Sequence, residues 1–166
     1  MSDTVDVVIE APAWEGIGLE AIAERAMAAT LRHLGLPEDC QCAMLAADDA
    51  RIAVLNAEFR AKEAATNVLS WPAEDLSPDT PGGQPEAPEA DFPGEPAFLG
   101  DIALAWETCC REAESAEKPL QAHVTHLIVH GILHLLGYDH ICDEDAVLME
   151  RLEVEILADL GFPDPY

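Results

Sequence analysis

The sequence is poor in basic residues. Eight lysines and arginines stand against 33 aspartates and glutamates, which gives the 166-residue chain a formal net charge of −25. A charge of this size repels phosphate backbones and anionic membrane surfaces, so the composition alone argues against a nucleic-acid partner. The net charge excludes non-specific attraction to phosphate. It does not determine which ligand a site with its own local charges would bind.

The sequence also lacks any apolar run of about 18 residues, the length that a membrane span requires. Its first residues, MSDTVDVVIEA, contain neither the basic nor the apolar segment of a secretory signal. We therefore expect a cytoplasmic protein without a membrane partner. The five cysteines form no disulfide-scaffold spacing and no C-x-x-C pair, so we expect free, buried or inert thiols.

Hydrophobic residues make up 49% of the chain, which is enough to bury one core, and the length favours a single domain over residues 1–166. Alternating and β-branched runs predict strands, at 5–11, 42–47, 67–71 and 98–105. Apolar periodicity between capping residues predicts helices, at 19–34, 49–59, 106–116, 119–136 and 143–160. The predicted fold is α+β: a small four-stranded mixed sheet covered by about five helices.

Residues 73–97 differ from the rest of the chain. They contain six of the twelve prolines, three glycines and seven acidic residues, with no basic residue. Such a composition is incompatible with a helix or strand interior and predicts a mobile surface loop. We expect this acidic, proline-rich loop to be a solvated insertion without a function of its own.

Five of the six histidines lie in one stretch, HVTHLIVHGILHLLGYDH, at residues 123–140. His130 and His134 are four residues apart, so a helix places them on one face, one turn apart. Gly137 ends the helix and allows His140 to fold back as a third ligand. Three neutral imidazoles around one Zn²⁺ leave a fourth position for water, as in catalytic sites. The pattern predicts a metal site at the end of a long helix.

The other histidines fit a structural role better. For His33, His123 and His126 we expect ordinary hydrogen-bonded side chains in the core or at the surface. For His123 and His126 the alternative is a role that supports the site or faces the substrate. Nickel or copper also binds imidazole sites, so the spacing alone does not select zinc.

The same letters match the spacing H-x-x-x-H-x-x-G-x-x-H of metzincin proteases. Those enzymes place a glutamate base directly after the first histidine, where this sequence has Gly131. A helical glycine costs about 1 kcal/mol relative to alanine, which suggests that another group approaches the backbone there. A peptidase is therefore disfavoured, and a substrate with its own nucleophile, such as the RNA 2′-hydroxyl, is favoured. A third hypothesis is a non-catalytic protein whose structural zinc site is closed by a fourth ligand, for example Cys142.

The stretch HGILHLLGYDH resembles the signature of the YbeY family, bacterial metal-dependent endoribonucleases that mature ribosomal RNA. Further blocks resemble the same family across most of residues 50–166, except in the acidic loop. They are Leu55-Asn56 with Phe59-Arg60, TNVLSWP at 66–72, LGDIALA at 99–105 and MERLEVEILADLGFPDPY at 149–166.

The resemblance implies a single-strand-specific, zinc-dependent endoribonuclease that processes the 3′ end of 16S rRNA and acts in ribosome maturation and quality control. It implies that His130, His134 and His140 bind one Zn²⁺ and that Arg60 is catalytic, contacting the scissile phosphate. The implied partners are single-stranded rRNA, the small ribosomal subunit with its proteins, and a ribosome-assembly GTPase. No DNA partner is implied. A zinc metalloprotease-like hydrolase and a non-catalytic ribosome assembly factor are the alternatives.

One part of the chain opposes the overall negative charge. Residues 51–73 hold Arg51, Arg60 and Lys62 against Glu58 and Glu63, a net charge of +1. Without the resemblance, Arg60 would be interpreted as half of a surface salt bridge, worth about 0–1 kcal/mol. We expect the isolated protein to bind RNA weakly and locally, and to depend on a protein partner on the ribosome for recruitment.

Two further residues allow two interpretations each. Trp71 either stacks on a base or packs in the core. Asp101 either hydrogen-bonds a metal-binding histidine or stabilises a turn.

Overall fold

The computed structural model describes residues 4–60, 66–140 and 142–166, apart from the side chains of Phe59 and Arg60. Four strands form one sheet in the order β1-β2-β4-β3: β1 (Val5–Ile9), β2 (Gln41–Ala47), β3 (Val68–Pro72) and β4 (Phe98–Ala105). β2 runs parallel to both β1 and β4, whereas β3 is antiparallel to β4. The predicted four-stranded mixed sheet is therefore confirmed.

Five α-helices occur within the described ranges, as predicted: α1 (Leu19–Leu34), α2 (Asp49–Arg60), α3 (Trp106–Ser115), α4 (Leu120–Leu135) and α5 (Asp143–Asp159). A 3-10 helix over Pro12–Ile17 was not predicted, because six residues are too few to show a helical period. Its Trp14 is fully buried and donates its indole N–H to the Ala47 carbonyl at 2.8 Å. None of the helices in the described part of the chain combines the length and apolarity needed to cross a membrane.

The main core lies between one face of the sheet and helices α1 and α4. Ile128, Ile132 and Leu133 of α4 are fully buried, and each buried side chain of this size contributes about 1.5–3 kcal/mol to stability. A Cβ at Gly131 would lie 3.2 Å from Cδ1 of Ile102 in β4, so the sheet does approach the helix backbone there. α4 is consequently a rigid support for the histidines that it carries.

The two faces of β3 serve different parts of the molecule, because successive side chains of a strand point to opposite sides. Val68, Ser70 and Pro72 line the cavity that contains the histidines. Trp71 packs against a smaller apolar cluster on the other face, where Ile52 of α2 is buried. Asp101 is exposed in a groove on that same face, so the interpretation that it hydrogen-bonds a metal-binding histidine is wrong. Of the two interpretations of Trp71, the structure agrees with packing, because the ring lies against the smaller apolar cluster.

Residues 73–97, all of them described, form neither helix nor strand, as predicted. The loop is not solvated along its whole length, however. Leu76 is 6% exposed, and a Cβ on Gly137 would lie only 2.7 Å from its backbone carbonyl. The Gly82 N–H also donates to Oδ1 of Asp145 in α5 at 2.7 Å. These contacts attach the loop to the end of α4 and the start of α5.

Candidate metal centre

Three imidazole rings converge at the C-terminal end of α4. His130 and His134 lie one turn apart on the helix, with their Nε2 atoms 3.0 Å from each other. Gly137 follows with φ +103°, a conformation that side chains rarely adopt, and the chain turns back. The His140 ring centre then lies 5.6 Å from that of His130 and 5.2 Å from that of His134. One nitrogen from each ring falls within 4.8 Å of the others.

This geometry fits a transition-metal ion. Imidazole nitrogens at about 2.0–2.1 Å from a tetrahedral Zn²⁺ lie roughly 3.3 Å apart, close to the separation of the two Nε2 atoms. Burial, together with the neighbouring His130, lowers the pKa of His134 to about 4. The His134 ring is therefore neutral at pH 7 and has a lone pair available for a metal.

The three histidines leave a coordination position open. Among the described histidines, cysteines, aspartates and glutamates, no fourth side chain joins the group, and Cys142 does not close it. Sites with three protein ligands and an open position are typical of catalytic zinc, whereas structural zinc has four protein ligands.

A buried carboxylate lies behind the first histidine. Oε2 of Glu153 in α5 is 3.3 Å from Nδ1 of His130, and Oε1 contacts Nε2 of His126. Burial would raise the pKa of Glu153, but hydrogen bonds from His126 and His130 outweigh it and lower the pKa to about 2. Sequence reasoning missed Glu153. The available signal was an acidic residue on the face of α5 that also buries Leu152 and Ile156.

The histidines open into a cavity of about 780 Å³ between β3 and the beginning of the acidic loop. Its walls include three carboxylates, from Glu74, Asp75 and Asp139. Among the described lining residues there is no lysine or arginine. A bound divalent cation would therefore be the dominant positive charge in the described part of the cavity.

The remaining histidines are hydrogen-bonded, as predicted. Nε2 of His123 lies 2.9 Å from Oε1 of Glu112. His33 contacts Glu155 at 2.8 Å and Asp159 at 3.1 Å. His126 is hydrogen-bonded too, but to Glu153, whose other oxygen contacts His130.

Residues 51–73, which carry a net charge of +1, are only partly described by the structure. Arg60 is the last residue of α2, and its side chain lies outside the described part of the chain, as does Lys62. Arg51 is ion-paired, with its Nε 3.4 Å from Oε1 of Glu10. The described basic side chain of this segment is thus partly neutralised by an acid.

In this chain, the position that carries the glutamate base in metzincin proteases faces the sheet rather than the cavity. Gly131 is buried, and a Cβ at this residue points at Ile102 in the sheet. A glutamate at 131 would need to displace core packing, so the geometry gives a peptidase no support at this position.

Comparison with known proteins identifies the family. Residues 12–161 match the family model described as Endoribonuclease YbeY. A protein of that name from Ruegeria pomeroyi is 61% identical over 164 residues, covering 98% of both chains. Another from Dinoroseobacter shibae is 58% identical, covering 98% of this chain and 90% of its own.

The fold is also found in an experimental structure. The solution structure of a protein from Thermotoga maritima matches with a TM-score of 0.56 and 19% identity, covering 97% of each chain. A family match over nearly the whole length, together with relatives of such high identity, leaves one assignment: the chain belongs to the Endoribonuclease YbeY family.

Proposed function

We propose that the chain cleaves single-stranded RNA at one Zn²⁺ ion held by His130, His134 and His140. Membership of the family makes it an endoribonuclease, a hydrolase that acts on RNA phosphodiester bonds. The observation that carries the metal site is the convergence of three imidazole nitrogens within 4.8 Å in an open cavity.

The donor set suits zinc, because neutral imidazole is a preferred ligand of this ion. When bound, Zn²⁺ supplies a Lewis acid for a phosphate oxygen or lowers the pKa of a water. The chain's own side chains would bind and orient the RNA substrate. Thr66 lines the cavity and offers a hydroxyl group to a ribose or phosphate, while the Ser77 hydroxyl donates to Asp75 and the Asn67 amide donates to Glu112. A cleft between β3 and residues 74–77 favours a single strand, because the bases of a duplex stay paired and stacked.

Arg60 is the residue that we assign to the scissile phosphate. A guanidinium presents two parallel N–H donors to phosphate oxygens and stays charged at every physiological pH. The family resemblance supports this role, and the described cavity wall, with three carboxylates and no basic residue, leaves the charge of a bound phosphate to be balanced from elsewhere. Arg60 ends that helix.

The RNA that we propose as substrate is the 3′ end of 16S rRNA, in small-subunit maturation and quality control in the cytoplasm. This part of the proposal is supported by the family resemblance. The net charge of −25 supports a recruited enzyme, because such a chain gains little from non-specific phosphate attraction. Small-subunit proteins or an assembly GTPase would bring it to the RNA.

Replacing Arg60 tests the proposed role directly. We expect Arg60→Ala to retain its zinc content and to lose cleavage of a single-stranded RNA by about 10²–10³-fold, as when a transition-state charge contact is removed. Arg51→Ala is the matched control, since Arg51 lies on the same helix but pairs with Glu10. Cleavage by Arg60→Ala at the rate of the control would remove Arg60 from the mechanism. A 2′,3′-cyclic phosphate on the product would identify the 2′-hydroxyl as nucleophile.

A further inference from the structure

Glu153 is a charged group in a place where charge is costly. Its side chain is 1% exposed, on a face of α5 that otherwise packs in the core. Burying a carboxylate is unfavourable unless hydrogen bonds replace its lost water. The hydrogen bonds of the two carboxylate oxygens of Glu153 explain how an acid is accommodated at this buried position.

The first oxygen determines which nitrogen of His130 carries the proton. An ionised carboxylate only accepts hydrogen bonds, so Oε2, at 3.3 Å, requires a proton on Nδ1 of His130. A neutral imidazole with a proton on Nδ1 has its lone pair on Nε2. This is the atom that faces Nε2 of His134 at 3.0 Å.

The second oxygen holds the carboxylate in place. Oε1 accepts a hydrogen bond from the Tyr166 hydroxyl at 2.9 Å and contacts Nε2 of His126. The Tyr166 and His126 rings meet edge to face, with centres 5.5 Å apart and planes at 85°. Lys118 donates to the Pro165 carbonyl at 2.7 Å and so fixes the segment that carries Tyr166.

We propose that Glu153 is a positioning residue: held by His126 and Tyr166, it fixes His130 as the Nδ1–H tautomer and so directs Nε2 at the metal. The inference rests on the metal site of the proposed function. Glu153 acts through His130, and Tyr166 acts through Glu153. A carboxylate behind a metal-binding histidine raises its basicity and restricts its ring orientation, and loss of such a partner typically costs 10–100-fold in metal affinity.

The first test needs no metal. Nitrogen-15 NMR of the histidine rings in the metal-free protein at pH 8 reports the tautomer of His130. We expect the Nδ1–H form in the wild-type protein and a population of the Nε2–H form in Glu153→Gln, whose amide can also donate to Nδ1. A wild-type His130 protonated on Nε2 would overturn the inference.

The second test measures Zn²⁺ affinity by competition with a chelator. We expect Glu153→Gln to bind about 10–100-fold more weakly and Tyr166→Phe a few-fold more weakly. Glu155→Gln is the matched control: the same substitution on the same helix, at an exposed residue that contacts His33 instead, with unchanged affinity expected. An affinity of Glu153→Gln equal to that of the control would refute the inference.

The two tests separate this inference from the proposed function. A wild-type protein that binds no Zn²⁺ would contradict the metal site, while the tautomer measurement would still decide the role of Glu153. Tyr166 is 63% exposed, so Tyr166→Phe should fold even if the substitution of the buried Glu153 prevents folding. The Zn²⁺ affinity of Tyr166→Phe then still tests whether the carboxylate must be held in place.

Discussion

The contact between the acidic loop and the turn after α4 predicts a large effect of Gly137→Ala. Gly137 has φ +103°, and an added Cβ would lie 2.7 Å from the Leu76 carbonyl carbon and oxygen and 3.0 Å from Cβ of Pro85. The backbone conformation costs an alanine about 1–2 kcal/mol. Displacing the packed loop adds about 1–3 kcal/mol, as overpacking does elsewhere. A sum of about 3 kcal/mol lowers the Tm by roughly 6–12 °C in a domain of this size.

Gly161→Ala separates these two contributions. Gly161 has φ +88°, but a Cβ there meets no atom within 4 Å, so only the conformational cost applies. We expect Gly137→Ala to show the larger Tm loss in the metal-free protein. It should also bind Zn²⁺ at least about tenfold more weakly, since it moves the segment that leads to His140. Equal Tm losses and equal Zn²⁺ affinities in the two variants, measured by calorimetry and chelator competition, would show that the contact between Gly137 and the loop has no effect.

Two further predictions concern titratable groups. The pKa of His134 is about 4 in the folded protein against 6.5 in the unfolded chain, so the unfolded state binds more protons between these values. The metal-free protein should therefore lose stability as the pH falls from about 6.5 to 4. In His134→Asn the free energy of unfolding, measured by urea denaturation at each pH, should depend less on pH over this range. An unchanged pH dependence would contradict the lowered pKa of His134. Burial raises the pKa of the Cys42 and Cys109 thiols to about 12. In the folded protein an alkylating reagent at pH 8 should modify at most Cys110 and Cys142, and mass spectrometry that finds modified Cys42 before unfolding would disprove this.

The parts of the molecule that sequence predicts well are those with local causes. The bounds of α1 match because apolar periodicity runs to Leu34 and Gly35 then adopts φ +68° as the cap. The convergence of His130, His134 and His140 follows from two local facts: a spacing of four on a helix, and a glycine that ends that helix before His140. Neither needs knowledge of distant contacts.

The parts that sequence misses depend on contacts between distant segments. Leu76 is one apolar residue in an acidic, proline-rich loop, and only the folded chain places it against Gly137. Glu153 lies 23 residues beyond His130, so no local pattern pairs them. The chain around Leu76 indicates solvent, and the charge of Glu153 does the same, whereas their neighbours in space are the turn at Gly137 and the imidazole of His130.

RNA cleavage by this chain should depend on a metal ion held by the three histidines. Metal analysis and cleavage of a single-stranded RNA by the wild-type protein and His134→Ala test it most directly. We expect the wild-type protein to carry one Zn²⁺ per chain, to lose cleavage when a chelator removes the ion and to regain it when zinc is restored. His134→Ala should carry less than about a tenth of the metal and cleave at the rate of the chelated protein. Cleavage by His134→Ala at the wild-type rate would show that RNA cleavage does not depend on this metal site.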